Sequence, residues 1–154
     1  MIRAIPLKNK SQTVENIRRI IETHWRDLKS FTVKKNGKRI RLIDLSLFDI
    51  FDLVKNFPYV KDENSIEVIA RPQRLLTEGN NIGMDCKKKT ILIGSWLHGN
   101  DYNYRLIGSS NKKNGNIHHI FPQVRTSEGW KNLDATYPKN KIFETRRVTN
   151  YEIW

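Results

Sequence analysis

The stretch DCKKKTILIGSWLHG, residues 85–99, holds the only cysteine of the chain, Cys86, behind an aspartate and ahead of three lysines. Ile91, Leu92, Ile93, Trp96 and Leu97 follow, and their spacing predicts a helix from about Cys86 to Leu97, closed by Gly99-Asn100. Asp85 is then the N-cap and Cys86 the first helical residue. That position suits a nucleophile. Unpaired amides and the helix dipole favour a thiolate over a thiol, and the same amides can hold an oxyanion.

A nucleophilic thiol needs a base, and the base needs an orienting group. The chain has four histidines. His24 belongs to the first helix, beside Trp25, and reads as a surface or packing residue. His98 sits on the cysteine's own helix, about 18 Å along it and out of reach. His118 and His119 remain, in NIHHIFPQV, which leads through RTSEG to WKNLDAT. Strand parity separates the two: His119, Phe121 and Gln123 share one face, His118, Ile120 and Val124 the other. With the turn centred on Ser127-Glu128, Phe121 pairs with Asp134, and His119 lies diagonal to that pair, within side-chain reach. The candidate catalytic set is therefore Cys86, His119 and Asp134. Taken singly, each has a plain reading: a packed cysteine, a polar strand histidine, an aspartate that starts a turn. A zinc site built from Cys86, His118, His119 and Asp134 fits poorly, because it offers one sulfur and splits the histidines between opposite faces. No metal or other cofactor is expected.

These residues need elements to position them. SQTVENIRRIIETHWRDLKS reads as a helix capped by Ser11 or Thr13, with Val14, Ile17, Ile20, Ile21, Trp25 and Leu28 on its apolar face. FTVKKNGKRIRLI reads as a hairpin turning at Asn36-Gly37. DLSLFDIFDLVKNF reads as a second helix, capped by Asp44 or Ser46 and closed before Pro58. SIEVIARPQRLLTEGNNIGM reads as an extended stretch and then a loop, broken by Pro72 and by Gly79 to Gly83. After the cysteine helix come strands in DYNYRLIGSS, NIHHIFPQV and WKNLDAT, with turns at Asn114-Gly115 and Ser127-Glu128-Gly129. The tail, KIFETRRVTNYEIW, is mixed. Helices followed by a central helix against an antiparallel sheet make an α+β fold. Residues 1–154 are expected to form one domain: an N-terminal helical and hairpin portion (1–65), a core (66–140) and a C-terminal tail (141–154).

Composition sets further bounds. The net charge is +12, which favours acidic partners, although the lysines are spread along the chain and also serve solubility. No nucleic-acid motif accompanies the charge, so nucleic acid stays an open partner on charge alone. No apolar run approaches the roughly 18 residues of a membrane span. The N-terminus carries no secretory apolar region, and a lone cysteine fits a reducing compartment, so a cytoplasmic location is expected.

The motifs resemble a known family. G-x-D-C opening an apolar helix, then H-I-F-P-Q-V, then G-W-K-N-L-D-A-T is similar to the transglutaminase-like core, a branch of the papain-like cysteine enzymes. That family's pattern runs G-x-C or D-C at a helix start, H-A-W-V-E-V on a strand and W-x-x-x-D-P-T on the next. Cys86 matches its nucleophile, His119 its histidine, Asp134 its aspartate, and Trp130 its tryptophan. The resemblance covers residues 66 to 140. The wider phrasing, from IARPQRLL to LDATYP, also resembles small transglutaminase-like proteins of bacteriophages. Lys87 and Lys88 stand where the family often has an acidic residue, Ala135 replaces the common proline, and Phe121-Pro122 replaces W-V.

The resemblance implies acyl transfer on a peptide or glutamine carboxamide through a thioester, with a protein or peptide as substrate. Water as acceptor gives hydrolysis and a lysine amine gives crosslinking; the small size of the chain favours hydrolysis. An oxyanion donor would lie upstream of the cysteine, at Asn80 or Asn81. Trp130 is expected to be buried packing. The bacteriophage likeness implies host cytoplasm or virion, with other virion proteins as partners. The alternative is a structural, virion-associated protein on the same fold with little or no catalysis.

Overall fold

The computed structural model describes residues 3–5, 10–62, 67–110, 117–145 and 150–154. Helix α4 (Cys86–Gly99) is its axis, and every residue from Lys88 to Leu97 is buried. Helix α1 (Lys10–His24) lies along one side of α4 through Val14, Ile17 and Ile21, with Leu28 completing the stripe from a 3-10 turn at Trp25–Lys29. Gly94 permits the close approach: a Cβ there would lie 2.4 Å from Ile21 Cδ1. The helix already includes Lys10, so Ser11 and Thr13 lie in its first turn rather than at its cap. The residue that precedes it is outside the described residues.

Strands β2 (Thr32–Lys35) and β3 (Lys38–Arg41) form the expected hairpin. Asn36 and Gly37 both have positive φ, 52° and 78°, as a type I′ turn requires. Helix α2 (Leu47–Lys55) is capped by Ser46, whose hydroxyl accepts the Asp49 amide at 3.1 Å, and it buries Ile50, Phe51 and Val54. Strand β1 (Arg3–Ile5) pairs antiparallel with β4 (Glu67–Ile69).

The expected loop after β4 is a helix, α3 (Pro72–Ile82). Pro72 starts it instead of breaking it, since the first helical position needs no N–H and suits a fixed φ. Gly79 is tolerated inside because Phe57 and Met84 pack where its side chain would be. The stop comes at Gly83, with φ 74°; a Cβ there would meet a Val60 methyl carbon at 2.4 Å.

The main sheet contains β5 (Tyr104–Ser110), β6 (His119–Thr126), β7 (Gly129–Asn132) and β8 (Asn150–Ile153), in the order β7-β6-β5-β8, antiparallel throughout. The tail read as mixed thus supplies an edge strand. The turn expected at Asn114-Gly115 lies outside the described residues. One sheet face packs on α4 through Leu106, Ile120, Val124 and Leu133, and the Thr90 hydroxyl donates to Ile120 O at 3.2 Å. The architecture is α+β, and no helix among the described residues is long and apolar enough to cross a membrane.

One charge lies inside this packing. Lys89 is 1 % exposed, and its ammonium donates to the carbonyls of Lys55 (3.0 Å), Phe57 (2.7 Å) and Thr136 (2.8 Å). Burial pulls it down to about 8, partly offset by the charge of Asp134. The three bonds tie the end of α2 and the segment after β7 to the first turn of α4. Lys89→Met strands three buried acceptors, each costing about 1–3 kcal/mol. Urea unfolding should therefore show a loss of roughly 2–5 kcal/mol; an unchanged midpoint would contradict the role assigned to the ammonium.

Candidate active site

The first turn of α4 carries Cys86, half-buried and unoxidised. Asp85 caps the helix, its carboxylate accepting the Lys88 amide at 3.1 Å. The amides of Cys86 and Lys87 head the helix, where no intrahelical acceptor reaches them. Asp85 is itself buried, and burial pushes its carboxyl up while Lys87 pulls against that. Lys87 pairs with both Asp85 and Asp62, and Lys88 reaches Asp62 at 2.7 Å. The lysines behind Cys86 are therefore committed to fastening the helix start to the segment that follows α2. The same segment meets the helix start by backbone bonds, Met84 N to Pro58 O at 2.7 Å and Val60 N to Met84 O at 3.4 Å.

Across from the helix start, β6 opens with His119. The ladder between β6 and β7 pairs Gln123 with Asn132 and Thr126 with Gly129, around the two-residue turn at Ser127-Glu128. Leu133 N donates to Pro122 O at 2.9 Å, which carries this register one residue past the end of β7 and leaves Asp134 opposite Phe121. His119 and Asp134 meet from there, with Nε2 2.8 Å from the carboxylate Oδ2. Cys86 lies close enough to the same imidazole to add to its hold on a proton. The structure therefore brings Cys86, His119 and Asp134 together. His118 is exposed, and its amide bonds Ser109 O. His98 lies at the far end of α4 against Tyr104 and Trp25, and His24 ends α1.

Asp134 is held from every direction. Its Oδ1 accepts the Thr136 amide at 3.1 Å, its backbone carbonyl accepts from the Asn140 side chain at 3.0 Å, and Lys89 holds the carbonyl of Thr136. Only 11 % of the His119 side chain and 6 % of the Asp134 side chain are exposed. Burial works against a charged imidazole, yet the bonds to Asp134 and Cys86 win and raise His119 to about 9. The carboxylate of Asp134 on Nε2 orients the ring and favours its protonated form.

Two tyrosines stand beside the site. Tyr59 lies in the strap that follows α2, its ring tilted at 47° against that of Tyr137, 4.8 Å away in the segment after Asp134. Burial, then a hydrogen bond to Tyr137, keeps its phenol protonated up to about 12, with Cys86 and Asp85 close enough to contribute. No signal in the sequence separates these tyrosines from ordinary loop residues. Asn80 and Asn81 occupy exposed positions in the last turn of α3. Trp130 is not buried packing: it is half-exposed on the sheet face away from α4, under Arg105 at 4.2 Å and Arg125 at 5.6 Å. Among the described residues no group of histidine, cysteine and carboxylates is arranged to hold a metal ion.

Comparison of the chain with protein-family models, with curated proteins and with solved structures finds no match.

The raised histidine gives a sign to the pH dependence. Its stabilising contribution is complete below the ordinary value near 6.5 and is lost as pH rises through about 9. NMR titration of the imidazole should place His119 near 9, and Asp134→Asn should bring it down. Unfolding free energy should fall between those two pH values. A histidine that titrates at or below 6.5 would contradict the paired geometry.

Proposed function

We propose that this chain is a cysteine hydrolase or acyltransferase with a transglutaminase-like, papain-like core, acting on peptide or glutamine carboxamide bonds. The observation that carries the reading is one imidazole bonded to a carboxylate and lying beside a helix-start thiol. The order of the three residues along the chain, and the motifs around them, agree with the family that the sequence resembles.

In this mechanism Cys86 is the nucleophile. Its thiolate attacks the carbonyl carbon, a C–S bond forms, and the carbonyl oxygen becomes an oxyanion facing the first-turn amides of α4. His119 then gives its proton to the departing nitrogen as the C–N bond breaks, leaving a thioester on Cys86. Water or a primary amine attacks that thioester while His119 takes its proton. The C–S bond breaks, and thiolate and imidazolium are restored. Asp134 keeps the ring oriented and its Nε2 proton in place throughout, and Thr136 and Asn140 keep Asp134 from turning. Tyr59 adds a neutral hydroxyl donor at the mouth over the whole working range of pH.

A panel of peptides containing glutamine or activated esters, followed by intact-mass spectrometry, should trap an acyl group on Cys86. Cys86→Ala and His119→Ala should abolish turnover with the fold retained. Asp134→Asn should leave a residual rate, about 10⁴-fold down if it acts as in other triads. His118→Ala should stay active. A dead His118→Ala enzyme beside an active His119→Ala enzyme would overturn the assignment.

A further inference from the structure

The sheet face that carries His119 and Asp134 continues away from them. On β6 it presents His119, Phe121, Gln123 and Arg125; on β5, Arg105 and Ile107; on β7, Trp130 and Asn132. Ile107 and Phe121 are buried and fill the middle. Beyond them lies a polar chain in which each member is held by the next. Asn132 donates its amide to Glu144 O at 3.1 Å and accepts from the Gln123 amide at 2.7 Å. Gln123 in turn accepts from Arg105 Nε at 2.8 Å. The Arg105 guanidinium also stacks on the Trp130 ring, 4.2 Å from its centre.

This arrangement fixes a guanidinium by its inner edge and one face. Its two terminal nitrogens, the fork that matches a carboxylate, are spent on none of these contacts. Arg125 approaches the same ring at 5.6 Å and is exposed. Among the described residues no carboxylate pairs with either arginine, whereas Arg41, Arg71 and Arg74 each have one. A flexible surface arginine does not need three side chains to orient it. An anion-binding one does, because rigidity fixed beforehand lowers the entropy lost on binding.

The geometry points to Arg105, backed by Arg125 and stacked on Trp130, as a subsite for a substrate carboxylate. The subsite would select a peptide with an acidic residue about four residues from the reacting carbonyl. The spacing comes from the register. Ser109 stands opposite His119 and Arg105 opposite Gln123, so the subsite is four positions along both strands from the histidine. That is about 13 Å, the span of about four residues of extended peptide. The peptide part of this inference rests on the acyl-transfer reading above; the carboxylate part rests on the arginine alone.

The test uses the full chain and two series of reactive peptides, one with a C-terminal chloromethyl ketone and one with an N-terminal chloroacetyl group. Each carries a single Glu, or its Gln twin, placed two to six residues from the electrophile. Mass spectrometry reads the rate of Cys86 modification. One series should show Glu over Gln by about tenfold, the worth of a charge-assisted bond, with a maximum near four residues. Arg105→Gln should erase the preference, Arg105→Lys should lose most of it, and raised salt should weaken it. Iodoacetamide should label all these proteins alike. Equal rates for Glu and Gln at every position, with iodoacetamide labelling intact, would overturn the subsite while sparing the nucleophile. Slow iodoacetamide labelling that does not depend on His119 would instead count against the acyl-transfer reading. In that event, binding of the labelled Glu peptide to Cys86→Ala protein, measured by anisotropy and lost in Arg105→Gln, would still support the carboxylate subsite, and no binding would overturn it. A single-stranded oligonucleotide that binds this face more tightly than the Glu peptide, and needs Arg105, would replace the acidic peptide with nucleic acid.

Discussion

A helix enclosed on all sides must still begin somewhere, and its beginning is polar. Helix α4 is wrapped by α1, α2 and the main sheet, so its first turn brings unsatisfied amides into the protein. The ammonium of Lys89 and the carboxylate of Asp85 organise that polar start. One gathers carbonyls from the end of α2 and from the segment after β7; the other takes an amide of the first turn. Both are buried at the base of the site. They place three otherwise unrelated segments around one point, and that point is Cys86.

The thiol's surroundings follow from this arrangement. The segment after β7 carries Asp134, and Lys89 holds it through Thr136. The strap after α2 carries Tyr59 and is fastened to the helix start by Asp62 and by its backbone bonds to Met84. The strand that supplies His119 is set by a two-residue turn, whose tightness fixes the register and with it the face of the imidazole. A buried histidine is costly to charge, and its raised affinity for a proton reflects the carboxylate bonded to it and the thiol beside it, which outweigh burial.

What could be read from the sequence was what local chemistry determines. Asp85 as cap and Cys86 as first helical residue follow from a cap and an apolar period. The meeting of His119 with Asp134 follows from strand parity and a short turn. What could not be read depends on contacts distant along the chain. Pro72 looked like a breaker and is a helix start, because its role depends on which side of the boundary it falls. The pairing of β8 with β5 has no local signature. Lys89 reads as one of many lysines spread along the chain, and only the carbonyls of Lys55, Phe57 and Thr136 explain its burial. Trp130 looked like core; its pairing with Arg125 puts it on the outer face, where Arg105 and Arg125 lie over its ring.

The rate of Cys86 alkylation by iodoacetamide across pH 5–9 tells whether His119 and Cys86 work as a pair. If the imidazolium holds the sulfur as a thiolate, labelling proceeds readily at the acidic end and is strongly slowed there by His119→Ala. Labelling that is slow at the acidic end, and the same in the variant as in the wild type, would mean that the two residues are neighbours without being partners.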